Sequence, residues 1–230
     1  MSRDVIANIR NAFEKLKSKN RFFVSEADFQ HALAMELEKY FPDNVYCEFP
    51  VYSNYLNKKK HQIIHIDIMV QHRGVLYPIE LKYKTRQIKS EKYYKNTNIC
   101  IKDVLRTHSA QDINAYEFWK DVRRIECLAL ADNSKIASGV CIMITNDPIY
   151  YKALEENNRS SSVIWRDFLL NDGLKTECNC TKQWHSHALW TKKYPPLDIK
   201  NSYECKWEQF CSVEDSEFKS LFIEVKRPNV

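Results

Sequence analysis

Only three glycines occur in the 230 residues of the chain. That scarcity excludes the glycine-rich loops that cradle phosphates, and neither G-X-G-X-X-G nor a Walker sequence is present. No apolar run approaches the ~20 residues needed to span a bilayer. The N-terminal stretch MSRDVIANIR lacks the apolar core of a secretory signal. These absences predict an intracellular, cytoplasmic protein without a membrane partner, in which the eight cysteines are reduced thiols. No helix-turn-helix or zinc finger stands apart as a DNA-reading module. What is present is 44% hydrophobic and 13% aromatic residues, enough for a sizeable core, and a net charge of +5. A mildly basic balance suits a polyanionic partner without requiring one.

The most informative stretch is Gln62 to Lys84, QIIHIDIMVQHRGVLYPIELKYK. Ile63, Ile64, Ile66, Ile68, Met69 and Val70 form a β-branched, apolar strand, and His72-Arg73-Gly74 breaks it with a glycine able to take a positive φ. From Val75 the pattern alternates, with Ile79, Leu81 and Tyr83 on one face and Glu80, Lys82 and Lys84 on the other. With the turn near residue 73, Asp67 falls across from Ile79 or Glu80, so the hairpin gathers Asp67, Glu80 and Lys82 on one face. Two close carboxylates need a cation or a proton between them. Hard oxygen ligands suit Mg²⁺ or Mn²⁺, and a lysine on the same face can orient water or offset charge. A solvated strand face with a surface ion pair would carry the same residues, but it leaves unexplained an aspartate inside so apolar a strand.

Asp67, twelve residues, then Glu80-Leu81-Lys82 resembles the PD-(D/E)XK nuclease superfamily, although Ile66 stands where the family name implies proline. The resemblance covers about residues 25–150 and implies a restriction-endonuclease-like α/β (α+β) fold with an αβββαβ core and a mixed central sheet flanked by helices. It implies a metal-dependent deoxyribonuclease: Asp67, Glu80 and the carbonyl of Leu81 binding Mg²⁺ (or Mn²⁺), and Lys82 positioning the attacking water. A helix before the strands often supplies a further acid in that family, which makes Glu26 a catalytic or metal-binding candidate and Glu36 a second. The family implies DNA rather than RNA as partner. Cutting both strands of a duplex would take a homodimer, or recruitment by a protein partner. A catalytically silent nucleic-acid-binding or scaffold protein on the same fold is the alternative. The whole chain, including Thr145-Asn146-Asp147-Pro148 and Tyr203-X-X-X-Trp207, is also similar to a group of uncharacterised bacterial proteins.

The other elements follow from periodicity. Residues 3–18 read as a helix with Val5, Ile6, Ile9, Phe13 and Leu16 on one stripe. Ser25 to Phe41 reads as a helix capped by Ser25 with Asp28 at the capping-box position, burying Phe29, Leu33, Leu37 and Tyr40. Val45 to Tyr52 is a strand, followed by a polar loop with Lys58-Lys59-Lys60. From Lys82 to Arg106 there are eight Lys/Arg against Glu91 and Asp103, with Tyr93 and Tyr94 interleaved; Lys84, Arg86, Lys89 and Lys92 are the nucleic-acid-binding candidates. Ser109 is expected to cap a helix to Leu130, with Ala115, Phe118, Val122, Ile125 and Ala129 buried, Lys120, Arg123 and Arg124 exposed, and Gln111 aimed at the site. Ser138 to Thr145 is a buried strand. The core is thus residues 1–150, and residues 151–230 form a C-terminal extension with a short helix (Val163 to Leu170), an irregular stretch (Leu174 to Trp190) and two strands (Tyr203 to Trp207, Leu221 to Val225) meeting at Glu214-Asp215-Ser216. Within it, Cys178, Cys180, His185 and His187 are spaced too closely in pairs for the usual tetrahedral zinc chelate.

Overall fold

A computed structural model describes residues 2–52, 63–88, 105–131, 133–153, 164–213 and 215–228. Two helices open the chain, α1 (Ser2–Lys17) and α2 (Glu26–Glu38). The Ser25 hydroxyl accepts the Asp28 N–H at 3.1 Å, the capping contact the sequence predicts. Phe29, Leu33 and Leu37 of α2 pack with Ile9, Phe13 and Leu16 of α1 over one face of the sheet, while Tyr40 is only partly buried. Glu36 is buried too, but its carboxylate is taken by Lys19 and Lys39 at the far end of α2.

The central sheet is mixed. Strands β1 (Val45–Tyr52), β2 (Ile63–His72), β3 (Val75–Lys84) and β4 (Ser138–Thr145) are followed by short β5 (Gly173–Thr176), β6 (Cys180–Lys182), β7 (Leu197–Ile199) and β8 (Tyr203–Cys205), then by β9 (Trp207–Val213) and β10 (Ser216–Lys226). Six of these form the order β1-β2-β3-β4-β10-β9. Among the described strands of this sheet β3 and β4 are the pair that runs parallel, because the helix α3 (Gln111–Leu130) carries the chain back between them. The β2–β3 turn is the tight one expected: Arg73 (φ 50°) and Gly74 (φ 78°) both take positive φ, and His72 pairs with Val75. The described chain is therefore α+β with three α-helices, and none of them is long and apolar enough to cross a membrane.

The C-terminal strands are longer than their apolar runs predict, and strands from both sides of residue 150 share one sheet, since β10 pairs from Lys219 to Lys226 with the whole of β4. The segment from 163 is helical in its described part, with Ile164 and Trp165 α-helical and running into a turn of 3₁₀ helix at Arg166–Phe168, and the stretch expected to be irregular contains β5 and β6. Tyr116 and Trp119 of α3 pack with Phe168, Trp184 and Tyr194, so this region forms the second cover of the sheet. Every residue of β4 is buried, as a central strand covered on both faces must be. One position in it is sterically closed: a Cβ on Gly139 would lie 2.5 Å from the Pro78 carbonyl oxygen and 2.9 Å from Ile125 Cγ2. Gly139→Ala is expected to cost about 1–3 kcal/mol by overpacking, read as a lower urea midpoint at unchanged m-value; an unchanged midpoint would show that β3 and α3 yield freely there.

Candidate functional site

Regular pairing of β2 with β3 ends at Ile68–Ile79. Beyond it the outward amides of β3 have no strand partner, and side chains take them one after another. Leu81 N–H donates to Asp67 Oδ2 (2.6 Å), Tyr83 N–H to Glu26 Oε2 (2.7 Å), Thr85 N–H to His108 Nδ1 (2.9 Å) and Gln87 N–H to Thr107 Oγ1 (3.0 Å). A buried strand edge must satisfy its N–H groups somehow; here two carboxylates, an imidazole and a hydroxyl do it. Asp67 and Glu26 are thereby fixed in place by backbone bonds.

Helix α2 aims this row. Tyr83 Oη donates to the Phe23 carbonyl at 2.6 Å, pinning the residues before Ser25 and so placing Glu26 over β3. One turn on, Gln30 Nε2 donates to the Asp67 carbonyl (2.6 Å) and to Glu48 Oε1 (2.8 Å). Glu48 interrupts the β1–β2 register opposite Asp67 with a φ of 51°. Non-glycine residues held at positive φ concentrate where a structure needs an irregular backbone, and the irregularity here sits beside Asp67.

On the other face, Glu80 and Lys82 point at α3. Glu80, 3% exposed, lies 2.5 Å from Arg124 Nη1, and Lys82 Nζ lies 2.5 Å from Oδ2 of Asp121. Arg124 also pairs with Asp121 at 3.2 Å. Arg124, expected on an exposed basic side of α3, is instead largely enclosed, because this part of α3 covers the charged face of β3 rather than an apolar one. Asp121 and Arg124 are the residues that sequence reasoning missed. A signal existed: Asp121 interrupts the apolar stripe of Phe118, Val122 and Ile125.

The electrostatics follow. Burial pushes the Glu80 carboxyl well above its ordinary pKa, and the charge of Asp121 adds to this against Arg124. Burial also raises Asp67, opposed by its bond from Leu81 N–H. Burial disfavours the Lys82 ammonium, but Asp121, Glu26 and Glu80 together hold its pKa above the usual lysine value. The balance favours the charged form of Lys82. Counted as ionised, three carboxylates (Asp67, Glu80, Asp121) stand near two cations (Lys82, Arg124), a formal surplus of one negative charge that a proton on the raised Glu80 or Asp67, or a cation, would cancel.

That surplus, with hard oxygens around it, fits a divalent cation. Asp67 Oδ1 and Glu80 Oε2 make no hydrogen bond among the described residues, and the Leu81 carbonyl faces the same gap with Lys82 Nζ 3.3 Å away. Mg²⁺ is held by one or two carboxylates with water filling the remaining positions, so Asp67 and Glu80 are the residues that could hold one. Among the described residues no three Asp, Glu, His or Cys side chains converge on one point, so Glu26 would join such a shell only by moving.

The remaining candidates divide. Lys84 Nζ lies 3.5 Å from Glu26 and belongs to the site. Arg86 and Gln111 do not reach it: both bind the buried Asp147, Arg86 Nε at 2.9 Å and Gln111 Nε2 at 3.1 Å, at the far end of β3 and β4. Helix α3 starts from Ala110 in the left-handed region, not from a Ser109 cap, and this leaves Gln111 free to make that bond. Lys58-Lys59-Lys60, Lys89, Lys92, Tyr93 and Tyr94 lie outside the described residues. Away from the site, His185 Nε2 is bonded to Asp167 Oδ1 at 2.8 Å.

Arg124→Met strands Glu80 and is expected to cost about 3–5 kcal/mol, as breaking a buried ion pair does. The double variant Arg124→Met/Glu80→Gln should recover most of it, measured as a coupling energy in urea unfolding; strictly additive losses would mean that the two side chains do not interact. Comparison of the chain with protein-family models, with curated proteins and with solved structures finds no match.

Proposed function

We propose that the chain is a metal-dependent nuclease that hydrolyses phosphodiester bonds of DNA, on a restriction-endonuclease-like core of the PD-(D/E)XK type. The observation that carries this reading is that Asp67, bonded by the Leu81 N–H, lies within electrostatic reach of the Glu80–Arg124 and Lys82–Asp121 pairs where β2 and β3 part. Asp67, Glu80 and the Leu81 carbonyl would hold Mg²⁺ or Mn²⁺, with Glu26 as a neighbouring acid. The ion supplies Lewis acidity toward a phosphoryl oxygen and lowers the pKa of a bound water.

The protein's own part is positional and electrostatic. Lys82, held charged by Asp121, does not take a proton from water; it orients the attacking water and offsets charge gathering on the phosphoryl oxygens. Arg124 opposes the burial that raises the Glu80 pKa, and a cation bound there would displace the proton that the raised pKa favours. Glu26 and Asp67 stay fixed by their bonds from Tyr83 and Leu81 N–H. The net charge of +5 supports a polyanionic partner, and the choice of DNA rests on the family resemblance. Cutting both strands would require two copies or a recruiting partner.

A silent nucleic-acid-binding or scaffold role has one observation in its favour: Glu80 and Lys82 are already paired with α3. Metal titration and cleavage separate the two. On the nuclease reading Mg²⁺ or Mn²⁺ raises the melting temperature saturably, by about 2.7 kcal/mol of stability at a hundred times the dissociation constant, and Asp67→Asn abolishes the rise. Cleavage across plasmid, linear, single-stranded and branched DNA stops in EDTA and falls about 10²–10³-fold in Lys82→Ala, the scale of losing one transition-state charge stabiliser. Salt-dependent DNA binding without metal stabilisation or cutting would select the silent role.

A further inference from the structure

The end of β3, the start of α2 and the segment from Leu105 to His108 enclose a cavity of about 440 Å³ beside the metal-site candidates. Ser25, Glu26, Lys84, Thr85, Arg106 and His108 line it. His108 is clamped in it. Its backbone N–H donates to the Thr85 carbonyl at 2.8 Å, and its ring Nδ1 accepts the Thr85 N–H at 2.9 Å. The Thr85 hydroxyl proton goes to the Arg106 carbonyl at 2.8 Å, so Nδ1 is an acceptor in this arrangement and the ring hydrogen of the neutral imidazole is on Nε2. Burial and the nearby Lys84 charge lower the His108 pKa, which favours that neutral form. The Ser25 oxygen is occupied by the Asp28 N–H, but its proton is not.

The inventory of the cavity is one-sided. It offers the Lys84 ammonium, the Arg106 guanidinium, the Ser25 hydroxyl proton and the remaining ring N–H of His108. Among the described residues two basic side chains face a single carboxylate, Glu26, whose Oε2 already accepts the Tyr83 N–H and lies 3.5 Å from Lys84 Nζ. A site rich in donors and net positive selects an anion with several acceptor oxygens. It adjoins a network with a surplus negative charge, where such an anion would be rejected.

We propose that this cavity binds a phosphate group, and that in function it holds the phosphate neighbouring the cleaved one on the same strand. The second half of that statement rests on the nuclease reading; the phosphate site itself does not. His108 and Arg106 are then binding residues that the sequence pattern did not single out as a site.

The test uses the full chain in EDTA, with inorganic phosphate and a 5′-phosphorylated trinucleotide as probes. Saturable binding is expected, with a shift of the His108 ring signals in heteronuclear NMR. His108→Ala and Arg106→Met should each weaken it about tenfold, the scale of one hydrogen bond to a charged group. His108→Gln, which keeps a terminal N–H donor, should retain more affinity than His108→Ala, and this comparison separates lost binding from a disturbed fold. With metal present, His108→Ala should raise KM for DNA about tenfold and leave kcat within about twofold. Phosphate binding that depends on His108 in a protein that cuts nothing would uphold the site and sink the nuclease reading. Metal-dependent cleavage with phosphate binding absent, or indifferent to His108 and Arg106, would overturn this proposal and leave the nuclease standing.

Discussion

The charge network between β3 and α3 is the constraint to which the rest of the site is fitted. A helix that crosses a sheet ordinarily buries an apolar stripe against it, and α3 does so with Ala115, Phe118, Val122, Ile125 and Ala129. In the middle of that stripe it also carries Asp121 and Arg124 into contact with Lys82 and Glu80. Burying four charges is a poor route to stability, because desolvation costs several kcal/mol per ion and apolar residues of similar size commonly do better. A network of this kind is thus better explained by what it positions than by what it stabilises: Lys82 and Glu80 held on α3, with the Asp67 carboxylate close enough to add to their field.

The other half of the site arises from a missing strand. Once β2 leaves β3, a row of amides from Leu81 to Gln87 would be orphaned, and the chain satisfies them with Asp67, Glu26, His108 and Thr107. The same bonds that close the sheet edge fix the carboxylates. That gives Asp67 and Glu26 a structural part whatever else they do, and their removal leaves buried N–H groups without partners. The backbone irregularity at Glu48 and the Gln30 bridge belong to the same device, since both lie against Asp67 at the point of divergence.

Much of this was legible in the sequence because local patterns specify it. The alternation from Val75 to Lys84 and the Arg73-Gly74 turn set the register that puts Asp67 next to Glu80, and Ser25 with Asp28 set the start of α2, and with it Glu26. Long-range pairing left weaker traces. Strand β10 alternates half-buried and buried residues over its length, so only Leu221 to Val225 stood out, and nothing local shows that it extends the sheet beside β4. Arg124 looked like a solvent-facing base because helical periodicity assigns a face, not its neighbour; here the neighbour is the charged side of β3. Arg86 and Gln111 belonged to a basic run and a helix start, and only the tertiary fold shows that both are spent on Asp147.

Glu26 joins the two halves. One of its oxygens accepts the Tyr83 amide and faces Lys84, its charge reaches Asp67 and Lys82 on the negative side, and it also forms a wall of the positive cavity. On the nuclease reading, a phosphodiester strand with its charges at regular intervals needs positive ground beside a place where a metal ion can be concentrated. Left to themselves, the cavity's cations and the network's surplus carboxylate would attract and cancel one another. Interposing a carboxylate fixed by a backbone bond keeps the two fields apart over a short distance. The bond from Tyr83, whose own hydroxyl is locked to Phe23, is what prevents Glu26 from swinging wholly to either side, so the separation of charge along the site is set by the packing of α2 on β3.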